Sequence, residues 1–203
     1  MTYEEFLKLE REEGVIYEWI NDKLQDFYNL SSNILQMSFP SLRHQTVSAN
    51  LSNIFNNYLA GKKCRAFTSG FGVFLNSPTA IVSPDLTIVC DPAKISNRGC
   101  EGSPDLVVEI LSPSTTKKDL TIKYDLYEKN LIKEYWIVYP SDSYITVCVL
   151  NEETKKYDEY NYSNSDIIYS TLFPNLPIEL EFVFESYTYE EFKKYVNERI
   201  WKD

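Results

Sequence analysis

From Ser41 to Ala60 the apolar residues Val47, Leu51, Ile54, Phe55, Tyr58 and Leu59 follow i, i+4, i+7, i+8, i+11, i+12, which predicts a helix with Gly61 just past its end. Upstream, T-Y-E-E-F-L-K-L-E-R-E-E (2–13) sets Thr2 three residues before Glu5, a capping box that opens a short amphipathic helix of about three turns. Val15 to Tyr28 reads as two short strands around Asn21-Asp22-Lys23. Strand patterns follow at 64–68, 71–75, 85–90 and 105–111, the last two rich in β-branched residues. Thr116 with Asp119 forms a second capping box, opening a helix whose stripe is Leu120, Tyr124, Tyr127 and Leu131 and which Asn130 ends. Residues 134–139 form another buried strand, 144–150 and 156–162 an antiparallel extension, and Thr188 with Glu191 caps a C-terminal helix. The order helix, strands, helix, strand predicts an α/β fold with a mixed sheet. In it 105–111 and 134–139 are parallel, joined by a right-handed crossover whose helix lies on one face.

Composition narrows this picture. With 203 residues, 43% apolar, only 6 glycines and no repeat or linker, the expectation is one domain over 1–203, with its core at about 41–140 and C-terminal strands and helix at 144–203. No apolar run approaches the roughly 20 residues that span a bilayer, and the first residues lack a secretory pattern, so a cytoplasmic protein with no membrane role is expected. Cys64, Cys90, Cys100 and Cys148 contain no C-x-x-C and His44 is the only histidine, so neither a disulfide framework nor a structural zinc site is expected. The net charge of −10 argues against a polyanionic partner, but its distribution does not. Residues 31–84 hold no acid and carry Arg43, Lys62, Lys63 and Arg65, so one face can oppose the net field.

The candidate chemistry lies in two strands. An acid inside V-V-E-I-L, Glu109, must be partnered or protonated, and Asp85 poses the same question at the head of D-L-T-I-V-C. Alternation puts Asp85, Thr87 and Val89 on one face of their strand, and Asp105, Val107, Glu109 and Leu111 on one face of theirs. Two carboxylates on adjacent strands can hold a divalent cation. Lys123, four residues after Asp119 on the following helix, can point toward the sheet as the positive partner. His44 lies at the edge of the core stripe of the long helix. No G-x-S-x-G elbow, P-loop or G-x-G-x-x-G is present.

The runs G-S-P-D-L-V-V-E-I-L-S-P-S-T (102–115), D-L-T-I-K-Y-D-L-Y-E-K-N (119–130) and E-Y-W-I-V-Y-P (134–140) resemble the Uma-two family of the PD-(D/E)XK nuclease superfamily, bacterial proteins regarded as restriction endonucleases. S-P-D-L-T-I-V-C-D-P (83–92), R-H-Q-T-V (43–47) and T-Y-E-E-F-L (2–7) extend the resemblance over roughly residues 2–185. It implies a restriction-endonuclease-like core of helix, three strands, helix and strand. It also implies that Asp85 and Glu109 bind Mg²⁺, with Mn²⁺ as substitute, that Lys123 serves as the family lysine, and that His44 matches the family histidine. The position two after the acid, where the superfamily lysine normally falls, is Leu111. Asn130, Tyr139 and the Ile20-Asn21-Asp22 turn also depart from the family pattern.

The function expected on these grounds is Mg²⁺-dependent hydrolysis of DNA phosphodiester bonds, with Asp85, Glu109, Lys123 and His44 catalytic. Lys123 would orient water or stabilise phosphate charge, and Arg43, Lys62, Lys117 and Lys118 are candidate phosphate contacts. A homodimer is expected of an enzyme that cuts both strands. The alternative is a non-cleaving nucleic-acid-binding or assembly module that keeps the nuclease fold. A third reading, Asp85 and Glu109 as a glycosidase pair, needs a proton donor and no metal.

Overall fold

Thr2 caps the first helix as expected: its Oγ1 accepts from Glu5 N at 3.2 Å, and its own N–H donates to Glu5 Oε2 at 2.7 Å. The computed structural model describes residues 2–8, 17–20, 23–26, 40–76, 79–113, 115–184, 193–194 and 198. This first helix, α1 (Tyr3–Leu7), is described as far as Lys8, and the remainder of the expected three turns lies outside the described residues. Strands β1 (Tyr17–Ile20) and β2 (Lys23–Asp26) pair antiparallel around the expected turn.

The long helix α2 (Leu42–Leu59) is capped by Ser41, whose Oγ accepts from His44 N at 3.2 Å. Gly61 follows with φ +73, the left-handed conformation that ends a helix at little cost for glycine. Its stripe of Val47, Leu51, Ile54, Phe55 and Leu59 is buried against one face of a sheet, where Leu86, Ile88, Leu106, Val108, Trp136 and Val138 meet it. Each such side chain contributes about 1.5–3 kcal/mol of burial.

After α2 come β3 (Arg65–Thr68), β4 (Gly72–Asn76), β5 (Thr79–Val82), β6 (Leu86–Val89), a short 3-10 turn at Pro92–Lys94, β7 (Ile95–Ser96), β8 (Gly99–Glu101) and β9 (Leu106–Ile110). The expected mixed sheet is present, but the strands divide between a two-stranded sheet and two six-stranded ones, each of these with a parallel pair. One has the order β2-β1-β5-β4-β8-β7. The other runs β12-β11-β10-β9-β6-β3, with β10 (Glu134–Tyr139), β11 (Tyr144–Leu150) and β12 (Tyr157–Ser163). Strands β5, β7 and β8 escaped the sequence reading because they are short and interrupted by turns. As expected, β9 and β10 are parallel and the helical segment connects them, while β11 and β12 extend the sheet antiparallel.

The connection itself differs from expectation. It comprises α3 (Thr116–Lys118), a π-helical turn over Asp119–Lys123, and α4 (Tyr124–Lys129), with Asn130 as C-cap. Thr116 makes no capping box with Asp119. Thr116 lies inside the helix and its Oγ1 donates to Ser112 O at 2.7 Å, while Asp119 is buried toward Lys123. The extra residue of the π turn shifts the helical register, so Leu120 is exposed and Leu126 joins Tyr127 in the core, while Leu131 lies past the C-cap at φ +55 and is exposed there. A second correction concerns the cysteines. The β3/β6 register pairs Arg65 with Val89 and so sets Cys64 beside Cys90, where they form a disulfide; Cys100 and Cys148 are free and buried. A pairing across 26 residues leaves no local signal in a sequence.

Strands β13 (Ile167–Tyr169) and β14 (Pro177–Glu179) and helix α5 (Leu180–Phe184) complete the core beside α2. The expected Thr188–Glu191 cap lies outside the described residues. No helix among the described residues is long and apolar enough to cross a membrane.

Candidate functional site

The β6/β9 register pairs Leu86 with Val108 and Thr87 with Val107, which brings Asp85 opposite Glu109 at the next step. Both point to the sheet face predicted from alternation. Asp85 Oδ2 accepts from Ile110 N at 2.8 Å, and Glu109 Oε1 accepts from Lys123 Nζ at 2.8 Å and from Tyr127 OH at 2.6 Å. Asp85 Oδ1 and Glu109 Oε2 have no hydrogen-bond partner among the described residues.

The two carboxylates line one cavity of about 740 Å³. Its other wall is the cap and first three turns of α2, with Ser41, His44, Gln45, Ser48 and Ser52. His44 is placed by its helix cap, and its Nε2 lies 3.5 Å from Asp85 Oδ2. Burial alone would push the imidazole down, but the hydrogen bond and charge of Asp85 outweigh it and hold His44 above its ordinary value.

Lys123 has 0% exposure and does not line the cavity. It stands behind Glu109, 2.8 Å from Glu109 Oε1, 3.1 Å from Glu18 Oε1 and 3.4 Å from Asp119 Oδ1. Burial would lower its pKa, but these three carboxylates win and hold it well above the usual lysine range, so it stays an ammonium. Burial drives Glu109 well above the usual carboxylate range. Lys123 opposes this, while Asp119, Asp85 and Glu18 add to it. Asp119 is likewise raised, chiefly by burial.

Glu18, on β1, was missed by sequence reasoning. In Y-E-W-I it alternates with aromatic residues, the pattern of a solvent-facing acid on a half-buried strand, yet it has 0% exposure. Burial would raise it, but Lys123 and Lys118 lower it overall. The cluster therefore sets four buried carboxylates, Glu18, Asp85, Glu109 and Asp119, against the ammonium groups of Lys118 and Lys123. With all four ionised, and before His44 is counted, the formal excess is two negative charges, which burial relieves by favouring the protonated forms of Glu109 and Asp119.

That excess, with the two unpartnered carboxylate oxygens on the cavity wall, is the donor chemistry of a hard divalent cation. No group of three or more His, Cys, Asp or Glu among the described residues is placed to hold a metal. Mg²⁺ does not need one, since it is commonly held by one or two carboxylates, with water and substrate phosphate completing the shell.

The candidate DNA contacts are dispersed. Arg43 donates to Pro140 O at 3.1 Å and to Ser141 O at 3.4 Å, Lys62 stacks over the Tyr58 ring at 3.2 Å, and Lys118 pairs with Glu18. Lys117 is exposed. Arg43 and Lys62 remain exposed while so engaged.

This α2, β3-β6-β9, helical crossover and β10 arrangement is a restriction-endonuclease-like core, and comparison with known proteins agrees. The family model Uma2, described as "Putative restriction endonuclease", matches residues 3–181, and the chain belongs to that family. An uncharacterized protein of Synechocystis sp. is 31% identical over 134 residues, 66% of this chain and 70% of the relative. The crystal structure of a protein from Anabaena variabilis, titled a putative nuclease belonging to DUF820, superposes with a TM-score of 0.70 at 18% identity. It covers 91% of this chain and 97% of its own.

Proposed function

We propose that the chain is a metal-dependent endonuclease that hydrolyses DNA phosphodiester bonds. The observation that carries this reading is the cross-strand pair Asp85 and Glu109, each with one unpartnered oxygen, on the wall of the cavity that His44 also lines. These two residues would hold Mg²⁺, or Mn²⁺ in its place. When bound, the ion would acidify a water molecule and neutralise charge on phosphate oxygens.

The protein's own groups have separable tasks. Tyr127 and Lys123 fix Glu109 Oε1 from behind, which turns Oε2 to the cavity. Lys123 acts through Glu109 and not by touching phosphate, because it is enclosed by carboxylates. His44, held cationic more readily than a free imidazole, would bind a phosphate oxygen or give a proton to the leaving oxygen. Asp85 orients it. DNA would reach the cavity across the acid-free stretch that contains α2, and a homodimer would present two such cavities to the two strands.

Incubating supercoiled plasmid with Mg²⁺, Mn²⁺ or EDTA tests the reading. Metal-dependent nicking is expected, and Glu109→Gln should abolish both nicking and Mn²⁺ binding. Unchanged Mn²⁺ affinity in that variant would sink the assignment.

One observation favours the second reading, a non-cleaving nucleic-acid-binding or assembly module. The lysine that would meet the substrate in a nuclease is sequestered, and its charge is consumed inside the protein. DNA binding with no cleavage under either metal would establish that reading instead.

A further inference from the structure

Glu18 does not line the cavity, yet it touches the supports of both residues that would hold the ion. Its Oε1 accepts from Ser83 N at 3.0 Å and lies 3.1 Å from Lys123 Nζ, while its Oε2 lies 2.5 Å from Lys118 Nζ. Lys123 in turn donates to Glu109. Ser83 precedes Asp85 by two residues, and between them stands Pro84, whose fixed φ passes the position of Ser83 on to Asp85. The same turn is tied from its other side, where Ser83 Oγ accepts from Gly70 N at 2.9 Å. One carboxylate oxygen thus joins the turn that presents Asp85 to the ammonium that presents Glu109. Strand β1 is itself held here by pairing with β5, through Trp19 and Ile81, just before Ser83.

We infer that Glu18 is a positioning residue that sets how Asp85 and Glu109 stand relative to one another, and so sets the affinity of the site for a divalent cation. The inference rests on the nuclease reading of the cavity. A carboxylate kept only to balance Lys118 would need no contact with Ser83, and one kept only to pin Ser83 would need no contact with either lysine. Glu18 makes all three contacts while fully buried, where a carboxylate is retained only if its surroundings hold it in place. Groups that orient a metal ligand without touching the metal typically change affinity by about ten- to a hundredfold when lost.

Two substitutions separate position from charge. Glu18→Gln keeps the size and an acceptor for Ser83 but loses the charge that holds Lys123. Glu18→Asp keeps the charge but withdraws it by one methylene. Mn²⁺ affinity by calorimetry, plasmid-nicking kcat and KM, and the thermal midpoint would be measured together, below the unfolding range of every variant. Both variants should bind Mn²⁺ at least about tenfold more weakly and lose kcat, with KM for DNA little changed. A Glu18→Asp protein equal to wild type would reduce Glu18 to a charge and overturn the inference. So would variants that unfold at lower temperature but bind Mn²⁺ as wild type does, since that is the mark of a purely structural residue. If Glu18→Asp does not fold, the same comparison on Glu18→Gln decides against or for a structural role. Wild-type protein that neither binds Mn²⁺ nor nicks would bring down the nuclease reading and this inference with it.

Discussion

Glu109 carries a measurable signature in the metal-free protein. Its carboxyl is raised by burial, so in the folded state it holds its proton to a higher pH than in the unfolded chain. Its contribution to stability is therefore full below the ordinary glutamate range and is lost as pH rises through the raised folded value. Denaturant midpoints of wild type and Glu109→Gln should converge at low pH, with wild type falling behind as pH rises, and Mn²⁺ should remove that deficit. A pH-independent difference would mean that Glu109 does not titrate in this way. Glu109 could be found in the sequence because an acid in V-V-E-I-L contradicts its apolar neighbours, and Lys123 because four-residue spacing set it with Asp119. Glu18 could not, since an acid in a strand that alternates with aromatics looks exposed until β5 and the π turn close over it. The link from His44 to Asp85 was equally hidden, because it joins two segments about 40 residues apart in an antiparallel fold that spacing alone does not reveal.

Among the elements, the helix that crosses from β9 to β10 departs most from its sequence pattern. Its existence, direction and end at Asn130 followed from periodicity, and the parallel β9/β10 pair followed from it. The π turn did not: one residue added inside the helix leaves no mark in the apolar spacing, yet it sets the rotation at which Asp119 and Lys123 meet the buried carboxylates. Deleting the exposed Thr121 tests this. A regular α-helix advances about 100° per residue, so closing the bulge should rotate Asp119 or Lys123 out of the cluster. The expected outcome is a folded protein of reduced stability with Mn²⁺ affinity impaired; unaltered affinity would show that the extra residue has no part in placing Lys123. The two-sheet arrangement was hidden for a similar reason. Which strands share a sheet is decided by pairing, and β4 pairs with β8 in one sheet while β6 pairs with β9 in the other.

For the molecule as a whole, the net charge of −10 and the acid-free stretch at 31–84 make opposite demands on a polyanion. Arg43, Lys62 and Lys118 are each partly engaged by the protein's own groups, which leaves less of their charge for phosphate. DNA affinity should therefore be modest but should still fall with rising salt. The slope of log affinity against log salt is expected to match only a few phosphate contacts, and a flat response would argue against electrostatic docking.

The site draws on both sheets, on α2 and on the crossover helix, and its four carboxylates come from positions 18, 85, 109 and 119. Contacts so far apart in sequence form late, after loop closure over most of the chain. During synthesis, no segment that has emerged before Lys123 can neutralise this cluster or turn Glu109 toward the cavity. On the nuclease reading proposed above, a partly synthesised or misfolded chain would therefore lack an assembled site, and any cutting would begin only once folding is complete.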